Sequence, residues 1–239
     1  MKFEKDKISC VVPTYNRIEF LEQVLYNLRN IQTYKNLEII VVDDGSKIPC
    51  KDLADKYADK YIRLQENSGS VSIPRAIGIT HSTGEFIAHI DDDIFNCPDK
   101  FSKLHESIVD SDSKLVYGNM RIFKDGLEIP GSFIKDWNPL KPNGWGVDGS
   151  QFIYRADVYK KVPLVFTQRG CDWHTARQIK KYFSEDFIHI DYVVSYYTWH
   201  RSNRSLDDTT KSSVIYPSKF ADYFSSTWEH TIDFNLILK

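Results

Sequence analysis

The first half of the chain predicts an α/β fold with a mostly parallel central sheet flanked by helices. Two observations carry this prediction: short apolar runs alternate with segments of helical periodicity, and polar loops follow the apolar runs. Strands that are joined through helices run parallel and are covered on both faces. Strands are expected at residues 8–12, 37–42, 61–64, 85–90 and 115–117, and helices at residues 18–28, 51–57, 71–81 and from residue 98 onward.

Each element has its own local signal. The run from Ile8 to Val12 ends at Pro13, as expected for a buried strand. In the first helix, apolar residues at positions 18, 21, 24, 25 and 28 share one face. The second strand stops at the loop-forming sequence Asp43-Asp44-Gly45-Ser46, and Pro74 is tolerated because it lies in the first turn of its helix.

Beyond about residue 120 the pattern becomes irregular. Glycines and prolines break the chain repeatedly between residues 126 and 149, and Trp137 and Trp145 lie among them, which indicates a loop-rich region able to shape a pocket. A helix is expected from about Asp172 to Phe183, followed by a β-rich stretch from residue 188 to 199. The aromatic-rich tail at residues 218–238 is expected to be helical at its start.

Composition and charge describe an ordinary soluble protein. The chain has 239 residues, 41% of them hydrophobic, and a formal net charge of −2, so its charge predicts no general attraction to nucleic acid or membrane. The four cysteines form no Cys-x-x-Cys pair, which argues against a zinc cluster and favours reduced thiols. The charged N-terminal segment precedes an apolar stretch too short for a signal peptide or membrane span. We therefore expect a cytoplasmic protein.

Polar clusters follow three of the expected strands: Thr14-Tyr15-Asn16, the loop at residues 43–46, and Asp91-Asp92-Asp93. Ligands of open parallel sheets bind beyond the carboxyl ends of the strands, so these clusters predict a binding edge. Three consecutive carboxylates repel one another unless a cation or hydrogen-bond donors compensate, and Mg²⁺ or Mn²⁺ prefers oxygen ligands. The alternatives are a solvated loop or a cap on the helix after Pro98.

Other candidate residues carry weaker signals. A carboxylate of Asp43 or Asp44 could accept from a base or ribose, or simply form an Asx turn. Arg75, near a helix N-terminus, suits a diphosphate, although a surface arginine is the commoner case. Asp172 is either a helix N-cap or a general base, and His200 is either a metal ligand or a polar surface group.

Taken in order, these segments resemble the inverting GT-A-fold glycosyltransferases of family 2. The similarity covers residues 8–95 and rests on four motifs with family-like spacing and the Asp-x-Asp position that follows them. The matching segments are Val11-Val12-Pro13-Thr14-Tyr15-Asn16-Arg17, the strand and loop at residues 37–46, Pro74-Arg75-Ala76-Ile77-Gly78-Ile79, the strand at residues 84–88, and Asp91-Asp92-Asp93.

The second half resembles the family less. Members usually carry a Glu-Asp pair that supplies the catalytic base, and Cys171-Asp172 is the best match, with cysteine in the place of glutamate. Asp148 and the pair Glu185-Asp186 are rival bases. His200 corresponds to a histidine that some members use as a further metal ligand.

The resemblance implies a metal-dependent inverting transfer from a nucleotide diphosphate sugar to an acceptor hydroxyl on a saccharide or another molecule. UDP-sugar is the favoured donor, with GDP- or dTDP-sugar as alternatives. It implies Mn²⁺ or Mg²⁺ held by Asp93 and His200, and Asp172 as the base. The implied donor-binding residues are Pro13, Thr14, Tyr15, Asp43, Asp44, Arg75, Asp91 and Asp92.

The resemblance also implies a single GT-A domain over residues 1–239. Its nucleotide-sugar half spans residues 1–120, a smaller acceptor-side half spans 121–205, and a partly helical tail spans 206–239. Two other functions stay open: a nucleotidyltransferase, disfavoured because no basic, glycine-rich loop follows the first strand, and a non-catalytic nucleotide-sugar binding module.

Overall fold

The computed structural model describes residues 2–129, 147–184, 187–199, 215–230 and 232–238. Its strands are β1 (Glu4–Thr14), β2 (Leu37–Asp43), β3 (Lys60–Arg63), β4 (Gly84–His89), β5 (Ile94–Asn96), β6 (Leu115–Lys124), β7 (Leu127–Ile129), β8 (Phe152–Arg155), β9 (Phe166–Thr167), β10 (Ile188–Trp199) and β11 (Ile237–Leu238). Its α-helices are α1 (Ile18–Tyr26), α2 (Lys51–Tyr57), α3 (Ser72–Thr80), α4 (Lys100–Val109) and α5 (Cys171–Tyr182).

Within the described residues a nine-stranded sheet organises the fold, in the order β3-β2-β1-β4-β8-β6-β10-β5, with β7 beside β6. The first four strands in this order pair in parallel. β8 then runs antiparallel to both β4 and β6, and β5 runs antiparallel to β10. The predicted α/β arrangement is confirmed, but the sheet is mixed because β8 inserts between β4 and β6 in the opposite direction.

Two apolar layers cover the sheet, one on each face. Alternating residues of β1 point to opposite sides, so Val11 packs in one layer while Val12 packs in the other. Helix α3 contributes to the layer of Val11, whereas α1 and α4 contribute to the layer of Val12. The central strands are therefore buried on both faces, which explains their continuous apolar runs.

The strands of the parallel half end together at one edge. Thr14 is in register with Asp43, and Val11 is in register with His89. The loops after β1, β2 and β4 therefore begin side by side, as the polar clusters in the sequence predicted.

The tail is helical at its start, as predicted, but as a 3₁₀ segment at Pro217–Tyr223. It packs behind α3: the Tyr223 carbonyl lies 2.9 Å from His81 Nε2, and Ser225 N donates to Thr80 Oγ1 at 3.2 Å. Among the described residues, no helix is long and apolar enough to cross a membrane.

Candidate active site

The β1 and β4 loops are joined at the carboxyl edge by direct hydrogen bonds. Thr14 Oγ1 donates to Asp92 Oδ2 at 2.7 Å, and both side chains are buried. Pro13 is buried beside Thr14 within β1, while Tyr15 is 42% exposed at the rim. Of these three predicted donor-binding residues, Thr14 contacts the aspartate run directly, and Pro13 and Tyr15 are its neighbours in the chain.

Asp43 and Asp44 brace the loop that carries them. Asp43 is fully buried and accepts from Ser46 N at 2.8 Å and from the Tyr61 hydroxyl at 2.9 Å. Asp44 accepts from Ser68 N at 2.9 Å and from Asn67 Nδ2 at 2.8 Å. Both carboxylates thus bind the chain itself, and their contact with a nucleoside stays a prediction.

Gly45 allows this loop to lie against its neighbour. Its φ of +73° is left-handed, and a Cβ would lie 2.5 Å from the Glu66 carbonyl carbon and 2.7 Å from Asn67 N. Only glycine combines that backbone conformation with so close an approach.

Two arginines form ion pairs with the aspartate run and offset part of its negative charge. Arg17 Nη1 lies 3.1 Å from Asp92 Oδ1 and 2.8 Å from Asp93 Oδ2, so one guanidinium bridges two carboxylates. Arg75, buried in α3, pairs with Asp91. The run is followed by β5, and α4 has Asp99 at its N-cap position, so the aspartates do not cap that helix.

Arg75 also connects the aspartates to the start of α5. Its Nη1 donates to Cys171 Sγ at 2.8 Å, across 96 positions of sequence. Burial raises the pKa of the Cys171 thiol to about 12, so this sulfur is neutral near pH 7. The arginine therefore lies between a carboxylate and a neutral acceptor.

Asp172 lies in the first turn of α5 and faces the turn at residues 148–151. Gly170 is the N-cap residue, so Asp172 does not cap the helix; its Oδ2 instead accepts from Gly149 N at 2.8 Å. A Cβ on Gly149 would lie 3.1 Å from Asp172 Cβ and 3.1 Å from His89 Cβ. The glycine thus lets the turn approach Asp172 closely.

The same turn contacts the aspartate run. Asp91 N donates to Ser150 Oγ at 3.3 Å, and Ser150 N donates to Asp148 Oδ1 at 2.8 Å. Lys100, fully buried at the start of α4, donates to Ser150 O at 2.5 Å and to Asn96 Oδ1 at 2.6 Å. The structure therefore brings Asp91, Asp148 and Asp172 to one place.

Burial and the repulsion between neighbouring carboxylates shift the pKa values of Asp148 and Asp172. Burial, helped by repulsion from Asp91 and Asp172, raises the pKa of Asp148 well above its ordinary value. Burial also raises the pKa of Asp172, while the Arg75 guanidinium opposes that rise. Burial and the neighbouring carboxylates thus favour the protonated form of Asp148, whereas the Arg75 guanidinium favours the ionised form of Asp172.

Two further groups are shifted by burial. Burial raises the pKa of Asp92 to about 7 against the opposing charge of Arg17. Burial lowers the pKa of Lys100 to about 8.

Several predicted residues lie outside the described residues: His200, Glu185, Asp186, Trp137 and Trp145. Among the residues that the structure does describe, no group of three or more His, Cys, Asp and Glu side chains is arranged to hold a metal ion. Metal binding by Asp93 and His200 therefore stays a prediction.

Comparison with known proteins identifies the family. The model of the family described as glycosyl transferase family 2 matches residues 9–162, which include the aspartate run and the turn at residues 148–151. The chain belongs to glycosyl transferase family 2. Residue 172 lies beyond the matched region, so the family match does not reach the candidate base.

Curated relatives of this family 2 chain are bacterial glycosyltransferases. Glycosyltransferase GlyA of Streptococcus pneumoniae is 32% identical over 124 residues, covering 50% of this chain and 18% of the relative. The poly(ribitol-phosphate) beta-glucosyltransferase of Bacillus spizizenii is 30% identical over 176 residues, covering 67% of this chain and 27% of the relative. The chain thus spans well under half the length of these relatives.

Solved structures confirm the GT-A fold expected for the family. The crystal structure of Staphylococcus aureus TarS 1–349 with UDP aligns with a TM-score of 0.67 at 22% identity, covering 81% of this chain and 60% of TarS 1–349. The same protein with UDP-GlcNAc aligns with a TM-score of 0.68 at 21% identity, covering 91% and 64%.

Sequence reasoning missed the roles of Arg17, Lys100 and Ser150. Arg17 belongs to the first family-like segment, at residues 11–17, but no contact was predicted for it. Its position directly after Thr14-Tyr15-Asn16 was the available signal. Ser150 lies in the segment Gly149-Ser150-Gln151-Phe152, which resembles an acceptor-side segment of the family, whereas Lys100 carried no local signal. Their contact joins positions 50 residues apart, so no local pattern predicts it.

Proposed function

We propose that this family 2 chain catalyses inverting transfer of a sugar from a UDP-sugar to an acceptor hydroxyl, with the help of Mn²⁺ or Mg²⁺. The observation that carries the proposal is the convergence of Asp91, Arg75 and Asp172. It puts candidate donor ligands and a candidate base on one edge of the sheet.

On the donor side, the buried Arg75 is a fixed positive charge suited to a diphosphate. Thr14 and Tyr15 border the same edge, and Asp43 and Asp44 lie in the adjacent loop. UDP is the proposed nucleotide because TarS, which shares the fold, was crystallised with UDP and with UDP-GlcNAc.

The chemistry of the aspartate run is compatible with a divalent cation. Its side chains offer only oxygen ligands, which Mg²⁺ and Mn²⁺ prefer, and the Arg17 guanidinium already lies between two of them. In the proposal Asp93 holds the ion, with His200 as a further ligand. The ion would offset negative charge on the departing diphosphate.

On the acceptor side, Asp172 is the proposed base. Its carboxylate is half-buried, held by Gly149 N, and close enough to Arg75 for the guanidinium to favour its ionised form. Asp172 takes the acceptor proton as the acceptor oxygen bonds to the anomeric carbon, and the bond to the diphosphate oxygen breaks. One displacement inverts the anomeric centre.

The proposed acceptor rests on the name of one relative. The Bacillus spizizenii relative is named for glucosyl transfer to poly(ribitol-phosphate), a polyol chain with many hydroxyl groups. We propose a hydroxyl-rich acceptor, a saccharide or a polyol.

Thermal denaturation with UDP, GDP and dTDP, each with and without Mn²⁺, tests the donor site. At about 100 times the dissociation constant a ligand adds about 2.7 kcal/mol, which shifts the melting temperature by roughly 5–10 °C for this size. We expect UDP to give the largest shift, Mn²⁺ to increase it, and Asp93→Ala to remove the increase. No shift with any nucleotide would overturn the proposal.

A further inference from the structure

The Arg17 guanidinium bridges two carboxylates of the aspartate run. Its Nη1 is within 3.1 Å of Asp92 Oδ1 and 2.8 Å of Asp93 Oδ2. The two carboxylates are each only 8% exposed and Arg17 is 22% exposed, so solvent screens these pairs less than surface pairs. Arg17 therefore neutralises part of the run from within the chain.

The backbone around Arg17 is held in place. Asn16 has a left-handed φ of 54°, its N–H donates to Ser46 Oγ at 2.9 Å, and its Oδ1 accepts from Lys47 N at 2.8 Å. These bonds tie the residue before Arg17 to the β2 loop. The Arg17 side chain itself is 22% exposed, so a ligand at this edge of the sheet can reach the guanidinium.

Asp92 and Asp93 make different contacts with the chain. Thr14 Oγ1 donates to Asp92 Oδ2 at 2.7 Å, and Arg17 Nη1 donates to Asp92 Oδ1. Asp92 therefore has both oxygens engaged by the chain. Arg17 lies closer to Asp93 Oδ2 than to Asp92 Oδ1. Arg17 therefore competes with an incoming cation most directly at Asp93.

We infer that Arg17 is an internal counter-cation that couples metal binding to nucleotide binding. Without a nucleotide, Arg17 holds Asp93 and disfavours a divalent ion, because a guanidinium and a divalent ion repel each other at this range. A bound diphosphate gives the guanidinium a new anionic partner, so the ion and the nucleotide bind together more tightly than either alone. The inference rests on the proposed function, because it needs a metal and a diphosphate at this edge.

The test is a thermodynamic cycle on the purified protein. The Mn²⁺ dissociation constant is measured by electron paramagnetic resonance of free Mn²⁺, with and without saturating UDP, for wild type, Arg17→Ala and Arg17→Lys. Arg29→Ala is the matched control, since it removes a positive charge paired with Asp59 on the surface. Melting temperatures without ligand check that each variant folds.

For Arg17→Ala we expect Mn²⁺ alone to bind on the order of tenfold more tightly, because a competing cation is gone. The ratio of Mn²⁺ affinities with and without UDP should fall by a similar factor, since linkage makes that ratio the coupling between the ligands. Arg17→Lys should keep part of the coupling, and Arg29→Ala should match wild type.

Unchanged or weaker Mn²⁺ binding in Arg17→Ala, relative to Arg29→Ala, would overturn the inference. So would the absence of Mn²⁺ binding in every variant. A UDP-induced thermal shift in the same samples would then leave the nucleotide part of the proposed function standing. Failure of UDP to stabilise any variant would instead remove the proposed function itself.

Discussion

Replacement of Asp172 by asparagine tests the assignment of the base. Asparagine keeps the shape of the side chain, and its Oδ1 can still accept from Gly149 N, which now bonds the carboxylate at 2.8 Å. The change removes the acid–base function while leaving the turn at residues 148–151 in place. It therefore separates chemistry from folding.

The expected loss follows from the contribution of general base catalysis. We expect kcat to fall on the order of 10²–10⁴-fold, with the UDP dissociation constant unchanged. In wild type, kcat should rise with pH through the pKa of Asp172, which burial raises above its ordinary value. This rising limb should be lost in Asp172→Asn.

The assay is steady-state release of UDP from UDP-glucose and UDP-GlcNAc, with Asp148→Asn as the matched control. Asp148 accepts from Ser150 N as the cap of its turn, and asparagine caps about as well as aspartate, so the replacement should leave stability nearly unchanged and change kcat less than tenfold. Full activity in Asp172→Asn together with inactivity in Asp148→Asn would refute the reasoning and assign the base to Asp148.

Two other predictions concern the groups that position Asp172. Gly149→Ala should lower kcat about tenfold with UDP binding retained, because the added Cβ would lie 3.1 Å from Asp172 Cβ; unchanged kinetics would show that the turn adjusts freely. Lys100→Met should lower kcat about 100-fold, because Ser150 loses its 2.5 Å contact, whereas Lys103→Met on the exposed side of α4 should not. Equal kinetics of these two variants would contradict a positioning role for Lys100.

The elements of the fold that have a clear local sequence pattern were predicted. Helix α2 was expected at residues 51–57 and lies there, and β2 differs from its prediction by one residue. β6 runs to Lys124 rather than 117 because β10 pairs with it along its length, and no local pattern reports a partner 72 to 75 positions away. The π-helical turn at Asn27–Ile31 likewise continues α1 beyond its apolar periodicity.

The site was predictable where polar residues follow strands. Thr14, Asp91 and Asp92 meet at one edge because parallel strands end together. The contacts made by Arg75 and Lys100 were not predictable, since a basic residue near a helix start usually faces water. Both are buried here because oxygen and sulfur acceptors from distant segments surround them.

The stereochemistry of donor hydrolysis tests the central claim most directly. Proton NMR of the sugar first released from an α-linked UDP-sugar, in the presence of Mn²⁺, reports the anomer formed before mutarotation. Inverting transfer to water predicts the β-anomer from wild type and on the order of 10²-fold less product from Asp172→Asn. Release of the α-anomer, or no turnover of any UDP-, GDP- or dTDP-sugar with or without a hydroxyl acceptor, would contradict the account.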